Sequence, residues 1–267
     1  MSINGKSVKV TLLVSVFSIV SANVDVSGLF ELKYKSGLQK FVPEDYIVQI
    51  NAPLKNKVDA QLIWKNDAIE SYSVGYKMTD CLSLRAGQML VRFGEFKTHA
   101  VSDPFLKADF EKYKPGVNFV FNKGDLELIG GVHNSTKDVT NMYVLRGKYS
   151  FNDSLFLGLS GLKDANEKVA YGVFGEVGLW GIAFDGEYVT KGYDNYLAIG
   201  LTYPVSDEYE LLSRYETAKV GAAEKQAIIC GLKVVLDEDL DLFLESVNSD
   251  DGSGRTMQFM SKVSYVF

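Results

Sequence analysis

Residues 169–178 read VAYGVFGEVG. In an extended strand successive side chains point to opposite faces, so Val169, Tyr171, Val173, Gly175 and Val177 share one face and Ala170, Gly172, Phe174, Glu176 and Gly178 share the other. The first face suits lipid; the second, with its carboxylate and small residues, does not. The same division recurs in Tyr209, Leu211, Ser213 and Tyr215 against Glu210, Leu212, Arg214 and Glu216. It recurs again in Tyr143, Leu145, Gly147 and Tyr149 against Met142, Val144, Arg146 and Lys148. Aromatic residues gather near the ends of these stretches, where a membrane interface would lie.

Working outward, nearly everything after residue 23 divides into alternating stretches of about ten residues, the signature of a transmembrane barrel. In the first half they are 24–35, 44–53, 57–66, 69–78, 81–92, 115–122, 125–134 and 140–150. The second half has 153–162, 169–178, 181–190, 194–204, 207–217, 226–237, 240–247 and 256–267. The expected fold is all-β: a transmembrane antiparallel up-and-down β-barrel of about sixteen strands, with twelve or fourteen if weak hairpins merge. In such a barrel short connections at one end alternate with longer ones at the other. Short ones fall at 53–57, 78–80, 122–125, 151–154, 178–181, 204–208 and 236–239. Longer or more polar ones fall at 36–43, 66–68, 95–114, 134–141, 163–168, 191–194, 217–225 and 248–255. Both termini then lie at the periplasmic end.

Composition agrees. The 267 residues are 46% hydrophobic, 12% aromatic and 23% charged, with 15 Tyr, 16 Phe and only 5 Pro, which favours strands over helices or disorder. A net charge of −6 excludes the concentrated basic face that nucleic acid requires. Lys6 and Lys9 precede the apolar stretch 10–20, and Ser21 and Ala22 supply small residues for cleavage, so residues 1–22 read as a signal peptide and 23–267 as the barrel. No stretch reaches the roughly 20 apolar residues of a membrane-spanning helix. Cys81 and Cys230 are expected to remain unpaired, and no metal or cofactor is expected, because His99 and His133 are not at ligand spacing from a cysteine.

A soluble β-sandwich would alternate similarly with its apolar face turned inward. The end of the chain, MQFMSKVSYVF, argues against it: Phe259, Val263, Tyr265 and Phe267 share one face, and the chain stops on the aromatic. This resembles the terminal signal read by the outer-membrane barrel assembly machinery, which implies that machinery as a partner through Phe267 and the bacterial outer membrane, with its lipid and lipopolysaccharide, as the location.

The longest connection, 94–114, GEFKTHAVSDPFLKADFEKYK, is expected either to fold into the lumen or to stand as a solvated outer loop. Folded inward, it makes Glu95, Lys97, His99, Asp103, Lys107 and Asp109 constriction residues, together with Arg85, Arg92, Arg146, Lys148 and Arg214 on the wall. The segment LRAGQMLVRFGEFKTHAVSDPF resembles that of porin-like proteins of the LbtU siderophore-uptake type at Gly87, Phe93, Gly94, Phe96, Thr98, Val101, Ser102, Asp103 and Pro104. It covers about a tenth of the chain. The resemblance implies porin-like passage of a small hydrophilic solute, with an iron chelate as one option. Monomer and homotrimer both remain open.

Alternation turns Lys65, Lys77, Arg85, Arg146, Lys148, Arg214 and Lys262 inward, along with Glu127, Glu176, Asp185, Glu187, Glu216, Asp241 and Glu245. The signs are mixed, so strong ion selectivity is not expected. A weak anion-attracting patch near Arg85, Arg92, Arg146 and Lys148 and a set of internal salt bridges are both open. Asp250 and Asp251 lie in an acidic loop that is either solvated or cation-binding. Two further functions compete. A non-conducting structural or adhesin barrel would need large outer loops, which are missing. His133-Asn134-Ser135 places a base and a nucleophile on one face of a strand, with Asn141 to orient the histidine, and resembles the motif of outer-membrane phospholipases and lipid A deacylases. Those enzymes follow the serine with Asn-Gly or Asn-Ala, where this chain has Thr136 and Lys137.

Overall fold

The structure, a computed structural model, describes residues 24–35, 40–55, 57–95, 104–135, 141–165, 167–252 and 254–267. The expected signal peptide at 1–22 and the loop residues Lys97, His99 and Asp103 lie outside them. Sixteen strands close into one antiparallel barrel. They are β1 (Asp25–Lys35), β2 (Lys40–Lys55), β3 (Val58–Lys65), β4 (Ala68–Lys77), β5 (Leu82–Leu90), β6 (Tyr113–Lys123), β7 (Leu126–Asn134) and β8 (Asn141–Asn152). The circuit continues with β9 (Leu155–Asp164), β10 (Ala170–Leu179), β11 (Ile182–Lys191), β12 (Asp194–Pro204), β13 (Tyr209–Val220), β14 (Ala223–Asp237), β15 (Leu240–Asp250) and β16 (Arg255–Val266). A single short helix, α1 (Phe105–Phe110), lies between β5 and β6 among the described residues.

Each strand pairs with its neighbours in sequence, and β1 pairs with β16 to close the circle, leaving no unpaired edge. At this seam Gly28 N–H donates to Phe267 O at 2.8 Å and Phe267 N–H donates to Gly28 O at 3.1 Å. The Phe267 ring lies over Gly28, where a Cβ would overlap it. Tyr265 stacks on that ring at 6.2 Å, extending the aromatic cover of the seam.

The alternation read from 169–178 holds. Tyr171 and Val173 are exposed on the outside while Ala170 and Phe174 are 1% exposed inside. The outer surface carries Tyr72, Val74, Phe119, Leu145, Leu159, Ile199, Leu211, Ile228 and Phe259, an apolar and aromatic coat around the barrel. The cross-strand register places every charged residue assigned inward on the lumenal face, for example Lys148 opposite Glu127, Asp185 opposite Glu176 and Lys262 opposite Phe243.

Several boundaries differ from expectation. The barrel end away from the termini was expected to carry the longer or more polar connections; three of its hairpins turn on two residues, Asn66-Asp67 and Gly192-Tyr193 within the expected bounds 66–68 and 191–194, and Gly221-Ala222 where the longer loop 217–225 was expected. Their backbone explains this. Asn66 (φ 47), Asp67 (φ 75), Gly192 (φ 69) and Gly221 (φ 61) adopt the left-handed conformation of tight hairpins, in which Gly, Asn and Asp are tolerated. The expected loop 217–225 is therefore mostly strand, and Gly221 N–H donates to Asp194 Oδ1 at 2.8 Å to fix the turn. Likewise β2 begins at Lys40, while β5 ends at Leu90 and β6 starts at Tyr113, so the long connection is slightly longer than expected. Cys81 and Cys230 are both free.

Candidate pore constriction

The described residues of the connection from β5 to β6, 91–95 and 104–112, lie inside the barrel. Beyond Leu90 the chain keeps alternating, so Val91 and Phe93 point into the lumen and are 2% and 1% exposed, while Arg92 between them is exposed. Val91 N–H donates to Lys112 O at 2.8 Å, joining the outgoing and returning arms of the loop. Phe93 meets Phe110 of α1 at 5.1 Å between ring centroids, and Phe110 meets Tyr196 of β12 edge-on at 5.4 Å. Met142, Val144, Leu162, Ala170, Val189 and Ala218 complete one buried apolar cluster along the inner faces of β8 to β13. Hydrophobic burial thus seats the loop on one wall, and large aromatic rings gain more from burial than any other side chains.

Wall carboxylates hold the loop backbone at two points, ahead of α1 and at its first residue. Glu95 N–H donates to the Glu187 carboxylate at 3.2 and 3.3 Å, and Phe105 N–H donates to Glu216 Oε2 at 2.8 Å. Glu216 is 2% exposed and ion-paired with Arg214, itself 2% exposed. Charge-assisted bonds of this kind are among the stronger hydrogen bonds. Arg146 on β8 ties the loop to β7: its guanidinium pairs with Glu95 and Glu127, donates to Gly94 O at 3.2 Å and lies 4.7 Å from the centre of the Phe174 ring. Lys148 Nζ sits 3.8 Å from Glu95 Oε1 and 3.8 Å from the Phe156 ring centre. Lys107 on α1 pairs with Glu111 at 3.6 Å. Between these groups lies a cavity of about 320 Å³, lined by residues including Arg92, Glu95, Lys107, Glu127, Arg146 and Lys148.

The expected constriction residues therefore divide into groups. Glu95, Lys107, Arg146 and Lys148 converge on the cavity, and Arg92 borders it. Arg214 acts on the loop through Glu216. Arg85 belongs to a different part of the wall, where it pairs with Asp59 across Gly75 and donates to Ser73 Oγ at 2.9 Å. Asp109 lies on α1. Buried in ion pairs, Arg146 and Arg214 hold the loop rather than presenting free positive charge to the lumen. Sequence reasoning did not single out Phe93, Phe110 and Tyr196 as the loop's seat. A signal was present in the aromatic residues Phe93, Phe105 and Phe110 of the connection, and in an apolar run on the inward face of β8 to β13.

The histidine group does not assemble as a base and nucleophile. His133 is 1% exposed, with Nε2 at 2.9 Å from Asn118 Oδ1. Ser135 Oγ instead donates to Asp164. Asn141 pairs in register with Asn134.

The wall and its inward loop can be compared with solved structures. An OmpT loop-deletion mutant, an outer membrane protein of Vibrio cholerae, superposes with a TM-score of 0.72 at 14% identity, covering 92% of this chain and 99% of that one. This is the porin fold. An anion-selective porin from Comamonas acidovorans matches at TM-score 0.66 and 12% identity over 92% of this chain and 99% of that one. The outer membrane channel DcaP of Acinetobacter baumannii matches at 0.66 and 13%, over 92% and 97%. No protein-family model matches the chain, and no curated protein matches it in sequence. The porin fold is therefore recognised through backbone geometry at identities where side chains have almost wholly changed.

Proposed function

We propose that the chain is a porin-like channel of the bacterial outer membrane through which small hydrophilic solutes diffuse, narrowed by the loop at 91–112. The observation that carries this reading is the closed wall with its apolar coat outside, charged residues of both signs inside, and a loop seated across one side of the lumen. The apolar coat provides the contact with lipid and the outer ends the contact with lipopolysaccharide. Residues 1–22 serve export and are removed after Ala22, and the terminal strand with Phe267 serves recognition by the barrel assembly machinery. Within the solute class an iron chelate is one cargo, supported by the resemblance at 87–104. The outer surface is compatible with a homotrimer as well as a monomer.

The test is conductance. Residues 23–267, refolded and inserted in a planar bilayer, are expected to give discrete open steps. Folded, inserted protein that never conducts would overturn the channel reading and leave the structural barrel in its place.

A further inference from the structure

On the wall formed by β14, β15, β16 and β1, the register sets Lys33, Lys262, Phe243 and Lys233 side by side in one inward row. The next inward row, toward the end that carries the termini, holds Glu31, Ser264 and Asp241. Two ion pairs link the rows in parallel: Lys262 Nζ to Glu31 at 2.9 Å and Lys233 Nζ to Asp241 at 3.0 Å. Both ammonium groups also converge on one aromatic ring, at 4.9 Å and 5.8 Å from the centre of Phe243. Phe243 and Met260 both pack against the buried Leu212, which makes one apolar patch beside the two ion pairs. Lys233 and Asp241 are 29% and 28% exposed, so the second pair is open to the lumen. Lys33 and Glu245, which flank these pairs on the inward face, are buried and have partners of their own.

We propose that this wall is a binding site for a zwitterionic aromatic α-amino acid. Charge complementarity selects the ligand. The site is electrically balanced, with positive charge on the outer row and negative charge on the inner row, so a simple anion or cation would satisfy one row and oppose the other. An α-amino acid carries carboxylate and ammonium on a single carbon, and it can present the carboxylate to Lys233 and the ammonium to Asp241, the pair open to the lumen. Its ring then lies against Phe243, Met260 and Leu212, which a purely hydrophilic solute would leave facing water. The site is separate from the loop cavity, and its occupancy does not depend on whether the barrel conducts.

The test is equilibrium binding to the folded barrel in detergent micelles, read by fluorine NMR. The probes are 4-fluorophenylalanine, 3-(4-fluorophenyl)propionate and 4-fluorophenethylamine, with empty micelles as the blank and alanine as a competitor lacking the ring. The zwitterion is expected to bind saturably and about tenfold more tightly than either singly charged analogue, the worth of one charge-assisted bond. Phe243→Ala should abolish that binding. Phe243→Leu, which keeps an apolar side chain of useful volume, serves if the alanine variant fails to fold. The charge-neutral pair Lys233→Gln with Asp241→Asn should remove the preference for the zwitterion while leaving the ring contact. Equal affinity for all three probes, alanine competing as well as phenylalanine, unchanged binding by the Phe243 variants, or no saturable signal would each overturn the proposal.

Discussion

Gly28 and Phe267 face each other across the seam between β1 and β16, bonded in both directions through their backbones, and the missing Cβ at residue 28 is what lets the terminal ring lie flat on the wall. Any side chain at 28 must displace that ring. Gly28→Val is expected to lower stability by about 1–3 kcal/mol, the usual cost of forcing extra carbons into a filled site. Gel-shift unfolding should register this as a lower melting temperature; an unchanged midpoint would show that the ring is not seated there. Arg146 poses the opposite problem, a charge whose removal strands others. Arg146→Met deletes the shared partner of Glu95 and Glu127 and leaves two carboxylates crowded beneath the loop. The expected cost is about 1–3 kcal/mol, at the level of a lost charged hydrogen bond because both carboxylates remain partly exposed. Combining it with Glu127→Gln should recover part of the loss, and a double variant no better than the single would exclude repulsion as the cause.

At the scale of elements, the loop between β5 and β6 is held by two kinds of force. Phe93 and Phe110 bury apolar area against Tyr196 and its neighbours, and Glu187 and Glu216 accept the backbone N–H groups of Glu95, ahead of α1, and Phe105, at its start. The aromatic seat is expected to dominate, because burying a large ring outweighs a hydrogen bond exchanged with water. Phe110→Ala should therefore cost about 3 kcal/mol of loop docking and raise both the conductance and the current noise of single channels. A quiet channel of unchanged conductance would mean that the carboxylate anchors suffice. The hairpin at Gly221-Ala222 illustrates a different balance: a left-handed glycine allows a two-residue turn where a longer polar loop was expected, so the strands run on past their expected ends. Turn chemistry at Gly221 is visible in the sequence. That β13 and β14 stay paired as far as Val220 and Ala223 depends on their alignment in the sheet.

For the whole molecule, charges of both signs interleave around the lumen, and most of those near the loop are engaged in pairs: Arg146 with Glu95 and Glu127, Arg214 with Glu216, Lys107 with Glu111. Paired charges cancel at the distances over which a hydrated ion feels the wall. In a potassium chloride gradient the reversal potential is therefore expected to lie near zero, with permeabilities of anion and cation within about threefold of each other. A strongly selective channel of either sign would show that the ion pairs open in the conducting state.

Alternation by itself determined the class of fold, the inward and outward faces and the charged residues of the lumen, because a strand's side-chain period is two whatever its neighbours are. Residues 169–178 carry that information locally, and the pairing register bears it out position by position. Where strands end was only partly legible, since a polar residue such as Lys225 can extend a hairpin as well as stand in a loop. Which wall residues meet which loop residues was not legible. Phe110 and Tyr196 are 86 residues apart, and only closure of the barrel brings β12 beside the returning arm of the loop. The same holds for Glu216 and Phe105, and for the row that joins Lys33 near one end of the chain to Lys262 near the other. A local pattern can say which way a side chain points, whereas its partner across the lumen is chosen by strand number and stagger, which are properties of the closed sheet as a whole.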